Sequence, residues 1–180
     1  MDPLDDLLDR ARRGDPDGFA GLYERLAGPI HRYLAAQVAD PAEVEDMAAA
    51  VFEEAARRVR RFRGDGAAFS GWLFTVARND LRDRHRREVR RRTSPVAAPP
   101  ELEDPSPGPD EVALTRLEAR RVADALRDLT PDQREVILLR FAAGLDLAET
   151  AAAMGKPVSA VKSLQHRGLA ALRRLLEGRT

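Results

Sequence analysis

Catalysis would start from histidine, cysteine, serine and carboxylate side chains, and their spacing here argues against it. The chain has no cysteine, which excludes disulfides, thiol nucleophiles and every cysteine-ligated zinc or iron–sulfur site. His31, His85 and His166 lie far apart, with no HExxH or comparable ligand spacing. Gly155-Lys156 precedes Pro157, where a phosphate loop needs Ser or Thr and a correctly spaced upstream Gly. Asp15-Pro16-Asp17-Gly18 begins like a calcium loop but lacks the later acidic ligands. Paired carboxylates such as Glu53-Glu54 fall on a helix face expected to be solvated. These residues yield no catalytic group, no metal site and no cofactor. Only Lys156 and Lys162 among the 30 basic residues are lysines, a bias that reflects a GC-rich genome rather than a special need for guanidinium groups.

The 180-residue chain balances 30 Lys+Arg against 30 Asp+Glu, yet the charges are segregated. Residues 1–56 carry net −8, 57–92 net +9, 93–128 net −4 and 129–180 net +3. Two basic blocks separated by acidic ones suggest two surfaces for a polyanion. No apolar run approaches the 18 residues of a membrane span, and the opening MDPLDDLLDR lacks a signal peptide's layout. A cytoplasmic protein without membrane insertion is expected.

The elements that must position these charges are helices. Ala, Leu and Arg abound, aromatics are 5%, and no segment alternates with the period of two that a strand requires. Phe19, Leu22, Tyr23 and Leu26 recur at helical spacing, and Pro29 restarts the pattern through Tyr33, Leu34 and Val38. Asp40-Pro41 reads as an N-cap with proline at the first helical position. A stripe from Val44 to Val59 follows, broken at Arg63-Gly64-Asp65-Gly66. The next helix runs from about Ser70 through Trp72 and Leu81, and turns wholly polar and basic from Arg82 to Arg92.

Residues 93–111 hold six of the twelve prolines. Such a stretch cannot bury enough surface to offset its ordering entropy. The expected organisation is therefore a helical domain over 1–92, a flexible acidic Pro-rich linker over 93–111, and a second helical domain over 112–180. In the second, Val112, Leu114, Leu117, Val122, Leu126 and Leu129 mark one helix, and Thr130-Pro131 caps another. A short helix then ends at Gly155, and a last one starts at Pro157 with Val158, Val161, Leu169, Leu172 and Leu176 inward. A short helix, a Gly turn and a longer helix with basic residues outward is the helix-turn-helix layout. The fold class is all-α.

FAGLYERL (19–26), VEDMAAAVFEEA (44–55), FRGDGAAFSGWLFTVARNDLRDRHRR (62–87) and the stretch from Leu129 to Leu176 resemble a known family. They are similar, in that order, to regions two and four of the extracytoplasmic-function class of bacterial RNA polymerase sigma factors. The resemblance implies a factor that binds core RNA polymerase and directs promoter recognition and strand opening, without catalysis of its own. It implies that Glu45, Asp46, Val51, Phe52 and Glu53 dock on the clamp coiled coil of the polymerase's largest subunit. Arg63, Phe69, Arg78, Asn79 and Arg82 would take the non-template strand of the downstream promoter element, around −10. Phe69 and Trp72 would supply stacking planes there, and Asn79 an amide for a base edge. Arg140, Lys162, Ser163, His166 and Arg167 would meet the upstream element, around −35. The resemblance also admits an anti-sigma factor as a partner. Two positions depart from the family pattern. Gln165 falls near a core-facing place, and Gly168 replaces the usual Ala at about 1 kcal/mol of helix stability.

Two other readings fit the helices. A stand-alone helix-turn-helix regulator would bind operator DNA without polymerase, and a helical adaptor would offer its basic face to an acidic protein. The first domain argues against the regulator, because its docking helix and strand-opening loop would have no role.

Overall fold

The computed structural model describes residues 3–93 and 121–178, and every regular element among them is helical. The first half has α1 (Pro3–Arg12), α2 (Pro16–Ala35), α3 (Pro41–Arg58), a 3₁₀ turn (Val59–Arg61) and the long α4 (Gly66–Thr93). The second has helical residues 121–127 (α5), α6 (Pro131–Ile137) continued by a π turn (Leu138–Ala142), α7 (Leu147–Met154) and α8 (Val158–Glu177). Beyond Thr93, the proline-rich linker lies outside the described residues, as does the helix expected over Val112, Leu114 and Leu117.

The caps are those the sequence specifies. Asp15 and Asp40 accept backbone N–H groups at the starts of α2 and α3, each with proline in the first turn. Thr130 with Gln133, and Asp146 with Glu149, form reciprocal capping boxes. Gly155 ends α7 in the left-handed conformation at φ +61°. Two features differ from expectation. The acidic opening folds as α1, whose Leu4, Leu8 and Ala11 are buried against its neighbours. Pro29 does not restart a helix but lies inside α2. The missing hydrogen bond and ring clash cost about 3 kcal/mol, but Ile30, Tyr33 and Leu34 just beyond it are fully buried and hold the helix together.

The two helical halves pack against each other in one continuous core. α7 lies along α4, so close that a Cβ at Gly71 would meet the backbone of Ala152 and Ala153 at 2.8–2.9 Å. Arg32 donates to the carbonyls of Ala142 and Ala143, each at 3.1 Å. The Tyr33 hydroxyl donates to both carboxylate oxygens of Glu135 at 2.9 and 3.1 Å. Burial pushes the Glu135 carboxyl above the usual carboxylate range, although Tyr33 and Arg78 pull it back. The Tyr33 phenol is raised by burial, and then by the Glu135 charge.

Candidate nucleic-acid interface

α3 ends in Arg57-Arg58, the 3₁₀ turn adds Arg60-Arg61, and the chain then turns through 62–65 into α4. This path leaves two adjoining open grooves. One, about 390 Å³, is lined by Ala50, Glu54, Arg57, Arg58, Trp72, Val76, Asn79 and Asp80. The other, about 510 Å³, is lined by Arg57, Arg58, Arg61, Phe62, Arg63 and Trp72. Trp72 is a wall of both. Its indole is held by Phe62 and Phe69, with ring centroids 5.6 and 5.7 Å away, so an apolar plane stands fixed beside the arginines of α3 and the turns that follow it.

Asn79 is exposed beside this plane. Seven residues separate it from Trp72, an offset of about 20° around the helix, so both share one flank of α4 with Val76. Asp80 adjoins it with its carboxyl raised by burial first and by the Asp83 charge second. Glu54 tempers the rim by accepting from Arg57 at 2.8 Å and pairing with Arg58. Arg63 and Arg82 are exposed.

Two expected downstream contacts take other roles. Phe69 is 1% exposed, so no base can stack on it. It packs edge-on against Phe62 and buttresses Trp72 from below. Arg78 faces the second half, 3.7 Å from Glu135, because Tyr33 and Glu135 bury an anion beside it. Arg57, Arg58, Val76 and Asp80 were not among the expected site residues, whereas Trp72 was expected there as a stacking plane. The signal for those on α4 was the flank Trp72, Val76, Asn79, Asp80 at i, i+4, i+7, i+8, which a core-only reading of Trp72 and Val76 conceals.

The second basic surface is convex. Lys162, Ser163, His166 and Arg167 are all exposed along one face of α8. The Ser163 hydroxyl donates to the Ser159 carbonyl at 3.1 Å, and Arg167 Nε donates to the Ser163 carbonyl at 3.3 Å. Arg140 does not join this face. Its Nε donates to Gln165 Oε1 at 2.9 Å and its Nη1 to the Leu145 carbonyl, locking the turn before α7 onto α8. Gln165 thus has a partner at its half-buried position. Gly168 has a packing reason as well, since a Cβ there would sit 3.3 Å from the Gln133 carbonyl on α6. Val158 and Leu169, expected inward, are about two-fifths exposed, because the face of α8 that meets α6 is centred on Val161 and Gly168.

On α3, Glu45, Asp46 and Glu53 are exposed, and His31 Nε2 lies 3.0 Å from Glu45 Oε1. Val51 is fully buried and Phe52 only 7% exposed, so both support the helix from beneath rather than offering a partner surface. Beside them lies an exposed aromatic, Tyr23, expected in the core but 51% exposed. It meets Phe52 edge-on at 4.7 Å, which places a ring beside the acidic ridge.

Residues 22–91 match the family described as Sigma-70 region 2, and residues 125–174 match Sigma-70, region 4. The chain is 30% identical over 174 residues to the ECF RNA polymerase sigma factor SigD of Mycobacterium tuberculosis (strain H37Rv), covering 94% of this chain and 82% of that one. The chain belongs to the ECF RNA polymerase sigma factors. The sigma factor is also 35% identical over 171 residues to the ECF sigma factor BldN of Streptomyces coelicolor, covering 95% of its own length and 65% of that relative's. Among solved structures it resembles CnrH, determined in complex with the cytosolic domain of CnrY. The identity is 26%, the TM-score 0.66, and 98% of this chain and 99% of that chain are covered. RpoE of Bartonella quintana, in complex with the anti-sigma factor NepR, shares the fold at a TM-score of 0.60 and 22% identity over 88% of this chain and 96% of that one. As an RNA polymerase sigma factor, the chain directs promoter recognition. No helix among the described residues is long and apolar enough to cross a membrane.

Proposed function

We propose that this sigma factor opens promoter DNA by capturing the non-template strand of the downstream element in the grooves flanking Trp72. The supporting observation is the fixed Trp72 plane with the Asn79 amide on one side and the arginines of 57–63 on the other. A base drawn from the duplex forfeits stacking worth a few kcal/mol. The indole replaces the stack, Asn79 meets the base edge, and Arg61, Arg63 and Arg82 hold the phosphates. The 1–92 half also docks on the clamp coiled coil of the largest polymerase subunit through Glu45, Asp46 and Glu53, with Tyr23 beside them. The 112–180 half reads the upstream element through Lys162, Ser163, His166 and Arg167. The chain supplies no catalysis and works in the cytoplasm. An anti-sigma factor is a further partner, as NepR is for RpoE, which shares this fold.

Both promoter elements cannot be engaged from the packed arrangement. Roughly 25 base pairs separate them, about 85 Å at 3.4 Å per step, whereas Gly71 nearly touches Ala152. The halves part when the polymerase takes the factor up, and Arg78 leaves Glu135 for the DNA. Run-off transcription with purified core polymerase tests the whole reading. The factor confers promoter-specific transcripts, and core enzyme that gains none from it refutes the proposal. The same result rules on the operator-binding regulator, for which the grooves have no use.

A further inference from the structure

The turn at 62–65 forms one wall of the second groove, through Phe62 and Arg63, yet little within it fixes its path. Gly64 sits at φ +140°, where a side chain would be strained, and Arg63, Gly64 and Asp65 are all exposed. What holds this turn comes from the other end of the chain. α1 lies against both the 3₁₀ turn and the start of α4, ahead of the residues matched to Sigma-70 region 2.

Three contacts connect them. The Gly66 N–H donates to Asp5 Oδ1 at 2.7 Å. The Arg12 guanidinium donates through Nη2 to the Gly64 carbonyl, while its Nη1 pairs with Asp9 at 2.8 Å. Gly66 lies so close to α1 that a Cβ there would come within 2.8 Å of Leu4 Cβ. The first N–H groups of a helix have no partner inside it. Asp65 accepts the Ala68 N–H from within the turn at 2.8 Å, and Asp5 accepts the Gly66 N–H from α1. The carboxylates also suit the positive end of the α4 dipole. One carbonyl and one N–H of the turn, two residues apart, are thus pinned to a single rigid helix.

We propose that α1 is the positioning element of the strand-capturing turn, with Asp5 and Arg12 as positioning residues that fix Gly64 and Gly66 and keep the groove beside Trp72 and Arg63 open. Neither residue touches the strand. Their loss lets the turn sample other paths, so holoenzyme spends less time in the binding-competent form and its apparent affinity falls by that fraction. Gly64 makes those paths available, since glycine has the widest choice of backbone conformations.

The inference rests on the strand-capture reading above, and its test separates the two. Holoenzyme is assembled with wild type, Asp5→Ala, Asp5→Asn, Arg12→Ala and Leu8→Val. Affinity is measured for core polymerase and for a single-stranded non-template oligonucleotide spanning the downstream element. Base preference is read from a library randomised in that element. Asp5→Ala lowers oligonucleotide affinity about five-fold, equivalent to about 1 kcal/mol for a lost cap, and flattens base preference. Arg12→Ala does the same, and core affinity is unchanged in both. Asp5→Asn keeps its accepting oxygen and stays near wild type. Leu8→Val loosens α1 without touching the turn and leaves preference intact. Wild-type preference in Asp5→Ala and Arg12→Ala would reduce α1 to a scaffold and overturn the inference. Equal losses in Asp5→Ala and Asp5→Asn would overturn the hydrogen-bond account. If wild-type holoenzyme itself ignores the oligonucleotide, the strand-capture reading fails instead.

Discussion

The two basic surfaces are built in opposite ways. The groove around Trp72 draws its walls from α3, the 3₁₀ turn, the 62–65 turn and α4, and its floor is core, with Phe69 beneath Trp72. The α8 surface is one helix face whose Lys162, Ser163, His166 and Arg167 project from a backbone fixed elsewhere. A concave site for an unstacked base has to be held open by the same contacts that hold the fold. A convex helix entering a duplex groove needs only its spacing. Mutations should therefore separate stability from recognition on α8 and entangle them in the groove.

Phe69→Ala should show the largest effect. Emptying a fully buried aromatic site costs about 3–5 kcal/mol, so thermal unfolding should move far down, and the released Trp72 should change its fluorescence. A small shift in both would mean that the groove floor is not core. On α8, Lys162→Ala and Arg167→Ala should leave the unfolding midpoint nearly unchanged and cost about 1–3 kcal/mol in upstream DNA binding. A phosphate contact would lower the salt slope by about one on every sequence, whereas a base contact would relax preference at one position. Binding to randomised upstream elements at several salt concentrations distinguishes these.

Two carboxylates sharpen the contrast at smaller scale through pH. Glu43 accepts a bidentate pair from Arg84 on α4, with Nη2 at 2.8 Å, and this hydrogen bonding holds its carboxyl below the usual range. Its contribution is present above the unfolded pKa, about 4.3, and is lost as pH falls through the lower folded value. Glu135 has the opposite sign. Burial raises its carboxyl, so packing between the halves is favoured at low pH and weakens as pH rises through the raised value. Unfolding midpoints from about pH 2.5 to about pH 7.5, a window that spans both shifts, check both. Glu43→Gln should lose stability at neutral pH and converge on wild type in acid. Glu135→Gln should gain on wild type at neutral pH and lose that gain in acid.

The order of the helices after α1, the caps at Asp40, Thr130 and Gly155, and the basic face of α8 were legible because each depends on neighbours a few residues away. The groove was only half legible. Asn79 and Arg63 stand out by type, but Trp72 and Val76 follow the same spacing as a core stripe. Only the packing of α3 against α4 shows that this flank faces an opening. Phe69, Val51 and Phe52 are apolar residues next to functional ones, and sequence proximity could not tell a wall from the support behind it. The inward turn of Arg140 and Arg78 depended on partners 25 and 57 residues away, Gln165 and Glu135. The packing of one half on the other left no local signal except small residues at Gly71, Ala152 and Ala153.

The central claim is that the Asn79 amide, beside the Trp72 plane, captures an unstacked base. Permanganate footprinting of holoenzyme with wild type and Asn79→Ala, on duplex and pre-melted downstream elements side by side, tests it most directly. A base edge left without its hydrogen bond costs roughly 1–3 kcal/mol, so Asn79→Ala should slow opening of the duplex by about ten-fold or more, recover on the pre-melted template and bind core polymerase as wild type does. Equal opening of the duplex by both proteins would contradict the account.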